Sequence, residues 1–191
     1  MVVLKWIVIV LLAVAAVLAI VTALVPQTQI QTRVEVAAPV DVAWRVFADE
    51  SRMGEWLEGF RSIETLSGEP HAPGSRFRVT FEEEGRDFVM EEEVLTWKEN
   101  EEYAFNMTSS IIVGQLVIRF EALDDARTAI VADSRTRGVG LFRLPVWLMK
   151  AKMIEQERET YGRLAALIES EPDLHPDPES GDFSDADDAD H

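Results

Sequence analysis

The sequence predicts an α+β fold, an antiparallel sheet packed on one long C-terminal helix, with a separate apolar helix ahead of it. Three observations predict this. Six short segments between residues 61 and 136 are separated by turn residues, and several of them, such as Arg76 to Phe81, alternate apolar and polar side chains at a period of two. Beyond Gly140, apolar residues recur at helical spacing to about residue 169. Near the N-terminus, the 20 residues from Trp6 to Val25 have Thr22 as their only polar member.

That apolar run would be roughly 30 Å long as a helix, the thickness of a bilayer's hydrocarbon core. It exceeds the apolar core of a signal peptide, about 7 to 15 residues, and it exits through Leu24-Val25-Pro26 without a small-x-small cleavage site. Residues 1–29 are therefore read as a single-pass membrane anchor with a short polar linker, which keeps the following domain close to the bilayer. Lys5 and the terminal amine favour a cytoplasmic N-terminus, placing the domain on the extracytoplasmic side.

Residues 30–170 read as the folded domain. Val34 and Val36 alternate with Arg33 and Glu35 as a half-buried strand. Pro39 ends that ladder and presets a helical φ, Asp41 suits a first helical turn, and Val42, Val46 and Phe47 return at helical spacing. A second short helix is expected over 50–57. After Gly59, strands are expected over 61–67, 76–83, 87–97, 102–109, 114–122 and 128–136, with turns at Gly68 to Gly74, Glu84-Gly85, Glu99-Asn100 and Asp124-Asp125. Phe77, Val79 and Phe81 share one strand face, as do Tyr103, Phe105 and Met107, and Leu116, Ile118 and Phe120, so the sheet has one wet side. The last helix, with Pro145 in its first turn, carries a stripe of Trp147, Met153, Ile154, Tyr161, Leu164 and Ile168, bordered by Glu157 and Thr160. Gly162 within it costs about 1 kcal/mol against Ala, which points to a steric reason, either ligand space or close sheet contact.

Charge is unevenly spread. The net −17 divides into −9 for residues 171–191, −9 for 31–170 and +1 for Lys5, which disfavours a nucleic-acid partner. The acidic, proline-containing tail, 171–191, is expected to be disordered. Its Asp185, Asp187 and Asp190 suggest a cation loop, but the glycine and terminal glutamate of an EF-hand are missing. With no Cys and three His (His71, His175, His191), of which two lie in the tail, a catalytic triad, a metal site or a thiolate nucleophile has almost no material. No metal or cofactor is expected, and His71 reads as a surface loop residue.

Several local signatures in this order resemble the START-like, or SRPBCC, superfamily, which includes polyketide cyclases, coenzyme Q-binding proteins and lipid-transfer domains. They are Val36-Ala37-Ala38-Pro39 with Val42-Ala43-Trp44, Asp49 followed by Trp56, Gly59 before a strand, Gly74-Ser75-Arg76-Phe77, Val94 to Trp97, and Thr128 opening a strand. The resemblance covers residues 30–168. It implies a helix-grip fold, in which a curved antiparallel sheet wraps the C-terminal helix around a cavity for an apolar ligand. On that arrangement the lining residues are Phe77, Val79, Phe81, Met90, Phe105, Met107, Leu116 and Ile118 from the sheet, and Met153, Thr160, Tyr161 and Leu164 from the helix, with Trp56 packed beneath the sheet away from ligand.

Function is less determined. If Phe88, Met90 and Val94 face inward, Glu92 goes with them, unless a bulge or the wet end of the strand lets it reach water. The favoured reading is a membrane-anchored binding module for a hydrophobic small molecule or lipid. One alternative is a cyclase or hydratase using Glu92, Glu157 or Tyr161 as catalytic groups, and another is an accessory protein acting on an unidentified protein partner through its acidic tail. A greasy segment over 141–150 supplies Leu141, Phe142, Leu144 and Trp147 as candidate membrane contacts.

Overall fold

A computed structural model describes residues 2–83, 85–171 and 174, without the side chains of residues 2, 18, 19, 21 and 23. Helix α1 (Val2–Leu24) is followed by strand β1 (Thr28–Val36), with only Val25, Pro26 and Gln27 between them. Helix α2 (Val40–Ala48) starts directly after Pro39 and buries Val42, Ala43, Trp44, Val46 and Phe47. A 3-10 turn (Glu50–Arg52) follows, capped by the Asp49 carboxylate, which accepts the Ser51 N–H at 3.0 Å. Helix α3 (Met53–Trp56) then leads into the sheet.

Strands β2 (Phe60–Ser67), β3 (Arg76–Glu83), β4 (Arg86–Lys98), β5 (Glu102–Thr108), β6 (Ile112–Asp124) and β7 (Arg127–Gly138) form a meander of antiparallel neighbours. Strand β1 pairs with β7 and completes a seven-stranded sheet of order β1-β7-β6-β5-β4-β3-β2. Helix α5 (Lys150–Glu169) lies against β1, α2 and α3 and buries Tyr161, Leu164, Ala165 and Ile168. This is the helix-grip arrangement that the signatures imply. One end of the grip is solid core: Trp44 meets Phe120 and Trp97 edge-on at centroid distances of 5.1 and 5.2 Å, with Phe47 5.2 Å from Phe120. The buried Thr128 hydroxyl donates to the Ala38 carbonyl at 2.8 Å and joins β7 to the turn before α2. Among the described residues no core residue comes from α1.

The structure corrects two expectations about the last helix. It is not continuous: a 3-10 turn (Gly140–Phe142) and helix α4 (Arg143–Leu148) precede α5, with the break at Met149, whose ψ of 3° departs from helical geometry. Pro145 fits the first turn of α4, where an N–H would have no intrahelical partner, and the Met149 N–H closes α4 on the carbonyls of Pro145 and Val146 at 3.1 and 3.2 Å. Trp147 therefore sits on α4 and does not belong to the α5 stripe. The chain can fold back after β7 because residue 138 is glycine; a Cβ there would lie 2.2 Å from the Phe142 carbonyl oxygen. Gly162, by contrast, faces open space with no atom within 4 Å of a Cβ, so the steric requirement expected there is not found.

The described side chains of α1, among them Leu4, Trp6, Leu11 and Leu12, are exposed, apart from the half-buried Thr22. Among the described residues no helix is long and apolar enough to cross a membrane; the continuous run of described side chains in α1 ends at Val17. The expected disorder of the acidic tail and its cation-like cluster, beyond residues 171 and 174, lie outside the described residues.

Candidate functional site

At the other end of the grip, sheet and helix diverge and leave a cavity of about 320 Å³. Its sheet wall includes Val79, Phe81, Met90, Phe105, Met107, Leu116 and Ile118, and α5 supplies Met153, Thr160 and Tyr161. Two residues expected in the wall are elsewhere. Leu164 is fully buried in the core beside Ile168, one turn too far along α5, and Phe77 lines a small neighbouring pocket with Val94 and Trp97. Trp56, expected away from ligand, is a wall residue, because α3 ends by turning its indole under Phe47 at 5.8 Å. Its Nε1–H is the one buried side-chain polar atom without a hydrogen-bond partner among the described residues.

The inward alternation of β4 carries Met90, Glu92 and Val94 toward the interior. The register shift in this strand falls after Val94, too late to turn Glu92 outward. Glu92 is only 9% exposed, lines the cavity and accepts a hydrogen bond from the Tyr103 hydroxyl. Burial pushes its carboxyl up from an ordinary value of 4.5 to about 7, only partly opposed by that bond. Burial next to this carboxylate also raises the Tyr103 phenol, which stays protonated.

A second polar point forms where β7 and α5 meet. The Glu157 carboxylate accepts the Ser134 hydroxyl at 2.5 Å and the Thr32 hydroxyl at 3.2 Å, and burial raises its proton affinity despite both bonds. Tyr161, buried one turn further, has its phenol raised by burial and by Glu157. The remaining polar wall groups are Gln156, Thr136 and Thr160. Among the described residues none that lines the cavity is Lys, Arg or His. Arg163, on α5 beyond Tyr161, is turned to the Trp56 carbonyl at 3.0 Å and to Glu58 at 3.4 Å.

This chemistry has limits and openings. Ser134 has a carboxylate partner and no histidine, so it is not set up as a nucleophile. A carboxyl titrating near neutrality beside a phenol can hold or release a proton toward a bound molecule. His71 is not in the wall: its ring stacks on Trp97 at 3.9 Å and approaches Glu50 at 3.6 Å. Among the described residues no group of acids and histidines is arranged to hold a metal ion.

Sequence reasoning missed Phe47, Met53, Leu57, Ile63, Tyr103, Ile112, Ser134, Thr136 and Gln156 in the wall. For Ser134 and Thr136 a signal existed, since they continue the inward parity of Ile130 and Ala132 on β7.

Outside the cavity, the elbow between β7 and α5 exposes Leu141, Phe142, Trp147, Leu148 and Met149, with Leu141 at 78%. Of the residues expected to contact a membrane, Leu144 is half-buried and the other three are exposed; Val146 is buried, and Leu148 and Met149, outside that set, are exposed. The elbow adjoins the end of α1, where Arg143 donates to the Thr22 carbonyl at 3.4 Å.

Solved structures share this fold at low identity. Ara h 8.0201 superposes with a TM-score of 0.62 at 14% identity, covering 76% of this chain and all of its own. The ZhuI aromatase/cyclase from Streptomyces sp. R1128 gives 0.56 at 16%, covering 72% and 94%. A START superfamily protein from Mycobacterium smegmatis gives 0.55 at 17%, covering 75% and 95%. Among curated proteins none matches the chain. Residues 27–169, which hold the whole sheet, the cavity and helix α5, match the family described as polyketide cyclase / dehydrase and lipid transport, and the chain belongs to that family.

Proposed function

We propose that the protein is a binding module whose cavity takes a largely apolar small molecule or lipid that carries no anionic group, and that α1 holds the domain at a membrane. The observation that carries the first part is the cavity wall: its surface is mostly aliphatic and aromatic, its carboxyl groups sit at Glu92–Tyr103 and Glu157–Ser134, and among the described residues no cation lines it. An anionic head group brought into such a space would lose its hydration and meet two carboxyl groups instead of a counter-charge. A hydroxyl or amine could donate to either carboxylate. The family and the ZhuI likeness are compatible with a cyclase as well as with a carrier, so the ligand class rests on the wall itself.

The anchoring part is supported by the 20-residue apolar run, by the exposure of the described α1 side chains and by a linker of only three residues. The binding test uses three naphthalenes of similar shape. 2-Naphthol and 2-naphthylmethylamine should bind at least about ten-fold more tightly than 2-naphthoate at pH 7.5, a difference of about 1.4 kcal/mol. Leu116→Trp, which fills the cavity, should abolish binding of all three. Equal binding of naphthol and naphthoate would remove the charge argument, and naphthol binding unchanged by Leu116→Trp would remove the cavity as its site.

One observation favours a second reading. A carboxyl held near pH 7 against a phenol, inside an apolar cavity, is suited to general acid or base catalysis on a bound polyketide-like substrate. If this reading holds, Glu92→Gln abolishes turnover and leaves ligand affinity nearly intact. If the binding module is right, no turnover accompanies binding in either form.

A further inference from the structure

The wet face of the sheet is laced with ion pairs. Arg33 meets Glu35 and Glu121, Arg76 and Arg78 share Glu91, Arg61 meets Glu82, and Arg119 meets Asp133. One corner departs from this pattern. Arg135 and Arg137 on β7 are both exposed, and among the described residues neither has a carboxylate within ion-pair distance. Cross-strand register places Arg135 opposite Gln115 on β6 and Gln29 on β1, and Arg137 opposite Val113 on β6, so these directly paired residues are neutral. Arg143 from the elbow joins them in one open groove, whose other walls include Val25, Gln27 and Asn106, with Glu93 as its acidic member. In a chain of net charge −17, three cations are thus gathered beside the residue that leaves α1.

The apolar elbow lies at the same corner, because Gly138 ends β7 and folds the chain back onto it. Exposed Leu141, Phe142 and Leu148 therefore neighbour the cationic groove. The two features suit different layers of one surface: guanidinium groups pair with phosphate at headgroup level, and the elbow's side chains enter the acyl boundary below.

We propose that this corner, Arg135, Arg137 and Arg143 with the elbow, docks on an anionic bilayer. The inference rests on the anchoring reading above and adds a defined face and a headgroup charge. With three linker residues between α1 and β1, the corner has little travel to reach that surface. Met107 and Ile112 line the cavity close to this end of the sheet, so a docked domain would turn that part of the cavity wall toward the bilayer.

The chain has no cysteine, so a single Leu148→Cys substitution gives a unique attachment point for a nitroxide. The full chain is reconstituted in nanodiscs of phosphatidylcholine alone and of phosphatidylcholine mixed with phosphatidylglycerol. Asp125→Cys, in the β6–β7 turn roughly 36 Å away along β7, serves as the water-exposed reference. In anionic discs the label at position 148 should become shielded from a water-soluble nickel chelate by about five-fold or more, and high salt should weaken the shielding. Replacing Arg135, Arg137 and Arg143 together by Gln should restore access, with circular dichroism confirming the fold. Equal immersion in both lipid mixtures, unaffected by the triple variant, would overturn the role of the arginines. A label that stays in water in anionic discs, while the chain remains in the disc fraction, would overturn docking and leave anchoring intact. Failure of the chain to enter discs would overturn both.

Discussion

Replacing Glu92 by Gln tests the electrostatics of the cavity through stability alone, before any ligand is known. In the folded domain the Glu92 carboxyl titrates near about 7, against 4.5 when unfolded. Between those values the folded state binds more protons than the unfolded one, so stability falls as pH rises through this window. At about 1.4 kcal/mol per tenfold change in proton affinity, the ionised buried carboxylate costs about 3 kcal/mol above pH 7. Below pH 4.5 the group is neutral in both states and the cost is absent. Gln keeps the shape and an acceptor for the Tyr103 hydroxyl, and has no charge to bury. The groups sharing its surroundings are Tyr103 on β5, with Glu50 acting on that phenol, and Glu157 and Tyr161 on α5 across the cavity. They are common to wild type and variant, so they largely cancel in the difference.

The assay is thermal unfolding of residues 27–171, whose core among the described residues takes nothing from α1, followed by near-ultraviolet circular dichroism at pH 4.5 and pH 8.5. Glu92→Gln should gain about 3 kcal/mol relative to wild type on going from the lower to the higher pH. That corresponds to a midpoint difference of roughly 10 °C for a domain of this size. A difference that stays the same at both pH values, within about 0.5 kcal/mol, would show that Glu92 reaches water and that the cavity's polar end is open.

Other substitutions probe the packing. Trp56→Ala should cost about 3 to 5 kcal/mol as a buried large aromatic, whereas Trp56→Phe should cost about 1 kcal/mol or less, because it also removes the unpartnered Nε1–H; chemical denaturation of both compares them directly. Gly162→Ala should raise stability by about 0.5 to 1 kcal/mol, since a Cβ there meets open space, and a loss would mean that a missing contact occupies that face. Thr128→Val should destabilise by about 1 to 3 kcal/mol, measured the same way, by leaving the buried Ala38 carbonyl without its donor.

Much of the fold was legible because one face of each strand is buried and the other wet. Alternation in Phe77 to Phe81 and in Leu116 to Phe120 carried both the strand assignment and the inward parity. Glu92 could be placed by the same parity from its neighbours Met90 and Val94. Features set by tertiary closure were less legible. The break at Met149 follows from how α4 closes on Pro145 and how the chain folds over Gly138, and no local breaker residue marks it. Leu164 and Phe77 have the correct periodicity for the wall, but the cavity occupies only one end of the grip, and periodicity does not say where helix and sheet diverge. Trp56 reaches the cavity because a helix of four residues turns it there, which its spacing from Asp49 does not reveal. The unpaired arginines could not be recognised in sequence, since pairing on the wet face depends on which strands neighbour each other.

The most direct measurement of the central claim is mass spectrometry of organic extracts from the purified protein, with Leu116→Trp purified in parallel. An apolar compound without an anionic group, neutral or carrying an amine, is expected near stoichiometrically with wild type and missing from the cavity-filled variant. An anionic lipophile enriched with wild type and lost in Leu116→Trp would contradict the ligand class drawn from the cation-free wall. Identical extracts from both proteins would contradict the cavity as a binding site.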